Sequence, residues 1–238
     1  VEKIFDSGTK QLLSLDIADD GAVYVGSADE AVLYRVEPGR PARAVHDFAG
    51  NELRAIAHHG GSIYIAVNDM SRGQTGGVRI TQAPTGTAPG AGPRPGSSGS
   101  GLGDRAGKGA LFRIDDSGRV EQLHALSDGF FNGLTVDGQG NVYAAASTPG
   151  GRGRLFVVHP DRTVATAAEL KESDALAVLL HDGGVVLGTG NSGALYRLSG
   201  SPPKDASYQS KVFDGQSVSR WGSVRFLGTG ALRLETRS

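Results

Sequence analysis

Apolar and polar residues alternate along most of the chain, and the alternating stretches recur in a fixed order. The runs QLLSLDIA, ELRAIAH, NGLTV and ALAVLL each lead into a glycine-bearing turn: DDG at 19–21, HHGG at 58–61, DGQGN at 137–141 and HDGG at 181–184. A second apolar run follows each turn: VYVGSA from Val23, IYIAV from Ile63, VYAAAS from Val142 and VVLGTG from Val185. Third comes the phrase LYRV at 33–36, returning as LFRI at 111–114, LFVV at 155–158 and LYRL at 195–198. A more polar fourth run closes each unit: ARAVHDF, RVEQLHAL, TVATAAEL and YQSKVFD. Alternation of this kind has the period of a β-strand, whose successive side chains point to opposite faces. Gly and Asp between the runs tolerate the positive φ of tight hairpins. No stretch repeats its apolar positions every three or four residues. Even the Ala-rich ATAAEL is assigned to a strand by its place in the unit.

Aligned on Tyr24, Tyr64, Tyr143 and Leu187, the units lie 40, 79 and 44 residues apart. The long spacing holds one unit plus an insertion. Four short antiparallel strands every ~40–45 residues mark a β-propeller blade. A single such sheet cannot cover both of its faces, so neighbouring blades must do so. The predicted fold is therefore all-β, a propeller with blades at 10–49, 50–128, 129–171 and 172–215. VEKIFDSG at the start matches KVFDGQ at 211–216, so the chain is expected to open on an outer, fourth strand. Residues 216–238 are expected to form a partial blade or the start of a following β module. Four blades and two pieces fit a segment of a longer propeller, an incomplete ring.

Between the second and third strands of blade two, residues 68–108 form the expected insertion. Its core, TQAPTGTAPGAGPRPGSSGSGLGDRAG, has almost no large apolar side chains, and such a composition predicts disorder and early proteolytic nicking within 81–107. GLGDRAGKG within it is no P-loop: three residues, not four, separate Gly103 from the Gly107–Lys108 pair, and Gly109 takes the place of Ser or Thr.

Composition then removes function classes. With 24 basic and 25 acidic residues the net charge is −1, which offers no electrostatic case for nucleic acid. The longest apolar run, Ala175–Leu180, is far too short for membrane insertion. The absence of cysteine excludes disulfides, thiolate metal sites and Cys nucleophiles. Six histidines form no HExxH pair, with His58, His59 and His181 expected in solvated hairpin turns, and no GxSxG elbow is present. Arg35, Arg113 and Arg197 recur in one column of the repeat, expected at a solvent-facing position.

One side chain breaks the pattern. Counted back from the aligned positions, Asn132 falls with Leu13, Leu53 and Leu176 on the inward side of the innermost strand. An amide there requires a hydrogen-bond partner, water or a ligand. Phe130 and Phe131 before it are expected to pack between blades, with Phe131 as a possible aromatic platform for a ligand.

The units resemble propeller repeats of the NHL and gluconolactonase-like kind over residues 1–215, and FFNGLTVDGQGNVYAA at 130–145 is similar to the segment that supplies a metal-ligand asparagine in the gluconolactonase-like family. That resemblance implies a set of Glu, Asn and Asp around a divalent cation such as Ca²⁺. Asn132 matches its NGL element; Asp174 in DALAV and Glu52 lie close to the Asp and Glu elements, each displaced in the ungapped alignment. The Trp221 region is similar to the junction that precedes a β-sandwich in long bacterial extracytoplasmic propellers, and implies a periplasmic or secreted location. Propellers host enzymes and passive binders alike. Two functions follow. One is a non-enzymatic propeller presenting a surface to a protein or carbohydrate partner, with no catalytic residues, no cofactor, and Asn132, Phe131, Glu52 and Asp174 as candidate ligand contacts. The other is a metal-dependent lactonase or esterase using Asn132, Asp174 and Glu52.

Overall fold

The computed structural model describes residues 1–70 and 107–198, together with Arg233 and Glu235. All fifteen of its elements are strands: β1 (Leu12–Ile17), β2 (Val23–Ser27), β3 (Ala31–Val36), β4 (Arg43–Phe48), β5 (Glu52–His59), β6 (Ser62–Met70), β7 (Gly107–Ile114), β8 (Val120–Ala125), β9 (Phe130–Val136), β10 (Val142–Thr148), β11 (Arg152–Val158), β12 (Val164–Glu169), β13 (Asp174–His181), β14 (Gly184–Gly190) and β15 (Leu195–Leu198). They pair antiparallel in chain order as blades β1–β4, β5–β8 and β9–β12, followed by β13–β15. The doubtful ATAAEL run is strand β12. The fourth strand of blade four and the boundary placed at 215 lie outside the described residues. No helix among the described residues is long and apolar enough to cross a membrane.

Three apolar clusters hold the blades together, one at each junction. Leu33, Leu53, Ile56 and Ile65 join blade one to blade two. Leu111, Phe131, Leu134 and Phe156 join two to three, and Leu155, Ala175, Val185 and Leu187 join three to four. The leucine of the LYR phrase is thus the plug of each junction. The residue two before it must be small. A Cβ on Gly109 would stand 2.8 Å from the Phe131 ring, and one on Gly153 would stand 2.6 Å from the Ala175 nitrogen. In each case the backbone at the start of the next inner strand lies flat against the glycine, so a side chain has no room.

Four expectations change. Val1–Asp6 forms no strand, and Phe5 instead packs its ring on Tyr34 at 5.2 Å. The insertion is shorter than 68–108: Asn68, Asp69 and Met70 pair with Gly109, Lys108 and Gly107, leaving 71–106, outside the described residues, between β6 and β7. His58 and His59 belong to β5, since the hairpin turns on Gly60 and Gly61 alone. His58 reaches blade one, its Nδ1 2.8 Å from Asp16 Oδ2 and its ring 4.7 Å from that of Tyr24. Nor is Arg35 solvent-facing: its guanidinium is largely covered, lying over Tyr24 and paired with Asp20 and Glu37.

Candidate functional site

Every innermost strand carries a β-bulge at the same level. The register skips Leu13 between Leu12 and Ser14, Arg54 between Leu53 and Ala55, Asn132 between Phe131 and Gly133, and Leu176 between Ala175 and Ala177. Asn132 therefore shares its column with Leu13, Arg54 and Leu176, not with Leu53, whose counterpart is Phe131. The ungapped count fails because the hairpins differ in length. Ile17 and Val136 pair across five-residue turns, whereas His59 and His181 pair across two. In blade four the bulge places Val186, not Leu187, in the column of Tyr24. A bulge re-aims the extra side chain away from the regular alternation, and here it turns the Asn132 amide toward blade four.

Asn132 Nδ2 donates to Ser147 Oγ at 2.9 Å and to the Ala175 carbonyl at 2.7 Å. Ser147 in turn donates to Asp174 Oδ1 at 2.6 Å. The other carboxylate oxygen, Oδ2, accepts from Asn191 Nδ2 at 2.7 Å and from Ser173 Oγ at 3.2 Å. Asn132, Ser147 and Asp174 are all buried. The structure thus brings Asn132 and Asp174 into one network that stitches blade three to blade four, reinforced by the backbone pair Ser147–Asp174. Three neutral donors satisfy the buried carboxylate, the arrangement that lets an unpaired Asp remain inside.

Asn132 is one of a set. At the junction of blades two and three, Asn68 Nδ2 donates to the Phe131 carbonyl at 2.8 Å and the Phe131 N–H donates to Asn68 Oδ1 at 2.9 Å. Between blades one and two, Ser14 Oγ donates to the Leu53 carbonyl at 2.8 Å. Leu53, Phe131 and Ala175 occupy the same position of their strands, immediately before the bulge. Each junction thus carries a polar clip that grips the backbone of the next inner strand at one fixed point. Sequence reasoning missed Ser14, Asn68 and Ser147. The signal available was a Ser or Asn within a strand, too common to stand out.

The remaining candidates fall elsewhere. Phe131 is fully buried, its ring 6.1 Å from that of Phe156 and 6.3 Å from that of His124, and it presents no platform to solvent. Phe130 is buried beside it, as expected. Glu52 begins β5 in the position that Asp174 holds in β13, but stands two blades away and hydrogen-bonds to neither Asn132 nor Asp174. Among the described residues, no three His, Asp or Glu side chains are grouped to hold a metal ion. A hard cation such as Ca²⁺ takes six to eight oxygens. Here both Asp174 oxygens already accept protein donors, and Asn132 contributes only Oδ1. His124, wedged between Phe131 and Phe156, has its pKa pushed down by burial. Asp137 is opposed by partial burial, but hydrogen bonds from the Asn141 side chain and backbone outweigh this and hold its carboxyl below the usual range.

No protein-family model matches the chain, and no curated protein matches it. Solved structures do. A catalytically inactive virginiamycin B lyase from Staphylococcus aureus, with quinupristin, superimposes with a TM-score of 0.53 at 12% identity, covering 83% of this chain and 58% of that one. A putative gluconolactonase matches at 14% identity and TM-score 0.44, covering 76% and 58%. A protein from Lactobacillus plantarum matches at 10% and 0.45, covering 84% and 58%. The chain spans 58% of the length of each of these structures. At such identities the likeness establishes the fold: the chain is a β-propeller repeat protein.

Proposed function

We propose that the chain is a non-enzymatic propeller segment that presents a binding surface to a protein or carbohydrate partner. The observation that supports this is the use made of Asn132 and Asp174. Both Nδ2 hydrogens of the amide and both oxygens of the carboxylate already have protein partners, and two of these bonds, Asn132 to the Ala175 carbonyl and Ser147 to Asp174 Oδ1, hold blade four to blade three. A ligand set for chemistry would have to break that junction to form. The surface assigned to the partner is the face on which the inner strands begin, which carries the loops 49–51, 126–129 and 170–173 and the β6–β7 stem. Asn51 fastens that stem through two hydrogen bonds with the Met70 backbone, at 2.7 and 2.9 Å. A periplasmic or secreted location accompanies this reading.

The test measures hydrolysis of an aldonolactone with and without added Ca²⁺, Mg²⁺ or Zn²⁺, alongside a glycan-array screen of the same protein. The expected result is no turnover above buffer under any metal, with any glycan binding indifferent to chelator. Saturable, metal-dependent turnover that drops in Asn132→Ala would overturn the proposal in favour of a lactonase.

A further inference from the structure

His124 stands where blade two meets blade three, on the outer side of the cluster built around Leu111 and Phe131. It lies opposite Leu111 in the β7–β8 pairing, the column that His46 fills in blade one and Ala168 in blade three. Its ring is 5.4 Å from that of Phe156 and 6.3 Å from that of Phe131, whereas His46 turns to Phe48 of its own blade at 4.5 Å. The Nε2 of His124 is buried and has no hydrogen-bond partner among the described residues. Packing does not call for an imidazole in this column, since Ala168 fills it beside Ala175 at the next junction. What an imidazole adds to two phenyl rings is a site for a proton, and burial opposes filling it. The elements against the ring supply no spare counter-charge among the described residues. β9 carries no titratable side chain, and Lys108 of β7 and Asp128 after β8 are exposed. Arg113 of β7 and Arg162 pair with Glu121 of β8, while Arg152 and Arg154 of β11 pair with Glu169.

The loop 126–129 begins two residues after His124. It is tied to β7, the strand that His124 pairs with: the Leu126 N–H donates to the Gly109 carbonyl at 2.7 Å, and Gly129 bridges to Lys108. Phe131, on which the histidine ring leans, is itself gripped through its backbone by Asn68. We infer that His124 is an acid-operated latch: protonation of its ring drives the end of β8 away from Phe131 and Phe156 and frees the loop 126–129, with the blades still folded. At the other end of β8, Glu121 pairs with Arg162 from the β11–β12 turn, so the strand stays fastened to blade three there and swings from that point. The use of the latch rests on the reading given above, in which this loop is part of the partner surface. A proton binds the released ring more readily than the packed one. The latch is therefore shut above about pH 7 and loosens as pH falls through the ordinary imidazole value near 6.5. A partner held at neutral pH meets an altered surface on acidification.

Amide hydrogen exchange of the chain alone at pH 7.5, 6.5 and 5.5, corrected for intrinsic amide rates, tests this in wild type, His124→Phe and His124→Ala. In wild type the opening constant of the segment 123–128, reported above all by the Leu126 amide, is expected to rise at least about threefold between pH 7.5 and 5.5. The amides of β13 and β14 are expected to keep their protection over the same range. His124→Phe keeps an aromatic ring in the wedge and is expected to hold the segment equally shut at all three pH values. His124→Ala, which copies the residue of blade three, is expected to leave it looser but equally so at each pH, and it keeps the test available if the larger ring strains the wedge. Protection at 123–128 that is independent of pH in wild type overturns the proposal. So does a pH dependence that survives in both variants, or a loss of protection that runs through all the blades together. No partner takes part in the exchange measurement, so a failed latch is distinguished from a failed partner surface, on which the aldonolactone and glycan assays report.

Discussion

Replacing Asn132 by Ala is the sharpest perturbation of the junction between blades three and four. The substitution removes two hydrogen bonds, at 2.9 Å to Ser147 and 2.7 Å to Ala175. Ala175 is fully buried, so its carbonyl loses a donor where water does not replace it. Leaving one buried acceptor unsatisfied costs about 1–3 kcal/mol, and the void left by the amide adds roughly 1 kcal/mol. The expected loss is about 2–4 kcal/mol, or roughly 5–15 °C in melting temperature for a domain of this size. Asn132→Asp is expected to lose more at neutral pH, because a carboxylate would face the Ala175 carbonyl and share Ser147 with Asp174. That excess is expected to shrink as pH falls and the introduced carboxyl protonates. Urea unfolding of wild type, both variants, Ser147→Ala and the double Asn132→Ala/Ser147→Ala variant gives the coupling directly, expected between about 0.5 and 3 kcal/mol. An Asn132→Ala variant within about 0.5 kcal/mol of wild type, the range of surface substitutions, would refute the structural assignment of this amide.

The other junctions and one histidine supply further outcomes. Gly153→Ala forces a Cβ to 2.6 Å from the Ala175 nitrogen and is expected to cost at least about 1–3 kcal/mol, whereas Gly193→Ala, with open space at its Cβ, is expected to be nearly neutral; paired melting curves check the contrast. Asn68→Ala orphans both the N–H and the carbonyl of Phe131 and is expected to destabilise by about 2–4 kcal/mol in urea unfolding. His124 has its folded pKa depressed by burial, so the unfolded chain takes up its proton first. Its contribution is complete above about pH 7 and is lost as pH falls through the unfolded value near 6.5 toward the lower folded one. Urea midpoints between pH 7.5 and 5.5 are expected to fall for wild type and to fall less for His124→Phe.

What could be read from the sequence divides along a physical line. The blades were legible because alternation, glycine turns and the LYR phrase are local and repeat in order. The buried role of Phe130 and Phe131 followed from the same repeat. The anomaly at Asn132 was visible and its match to Leu13 and Leu176 holds, but in blade two its counterpart is Arg54 and not Leu53, since a bulge and turns of unequal length shift the register without leaving a mark in an ungapped alignment. Its partners Ser147 and Ala175 lie 15 and 43 residues away, and nothing local announces them. His58 was misplaced for a related reason: HHGG reads as one turn, yet two glycines suffice to make it, freeing the histidines to extend the strand toward Asp16. The small residue two before each LYR-type leucine, Ala31 in blade one and glycine in the others, was present in the sequence. Its meaning depends on the next blade's backbone, which only the packed structure reveals.

The most direct measurement of the central claim, that Asn132 and Asp174 serve the junction of blades three and four, is the melting temperature of the chain across a Ca²⁺ titration, for wild type and Asn132→Ala. The account predicts a large difference between the two proteins that is the same at every Ca²⁺ concentration. A saturable rise of several degrees in wild type that disappears in Asn132→Ala would contradict it.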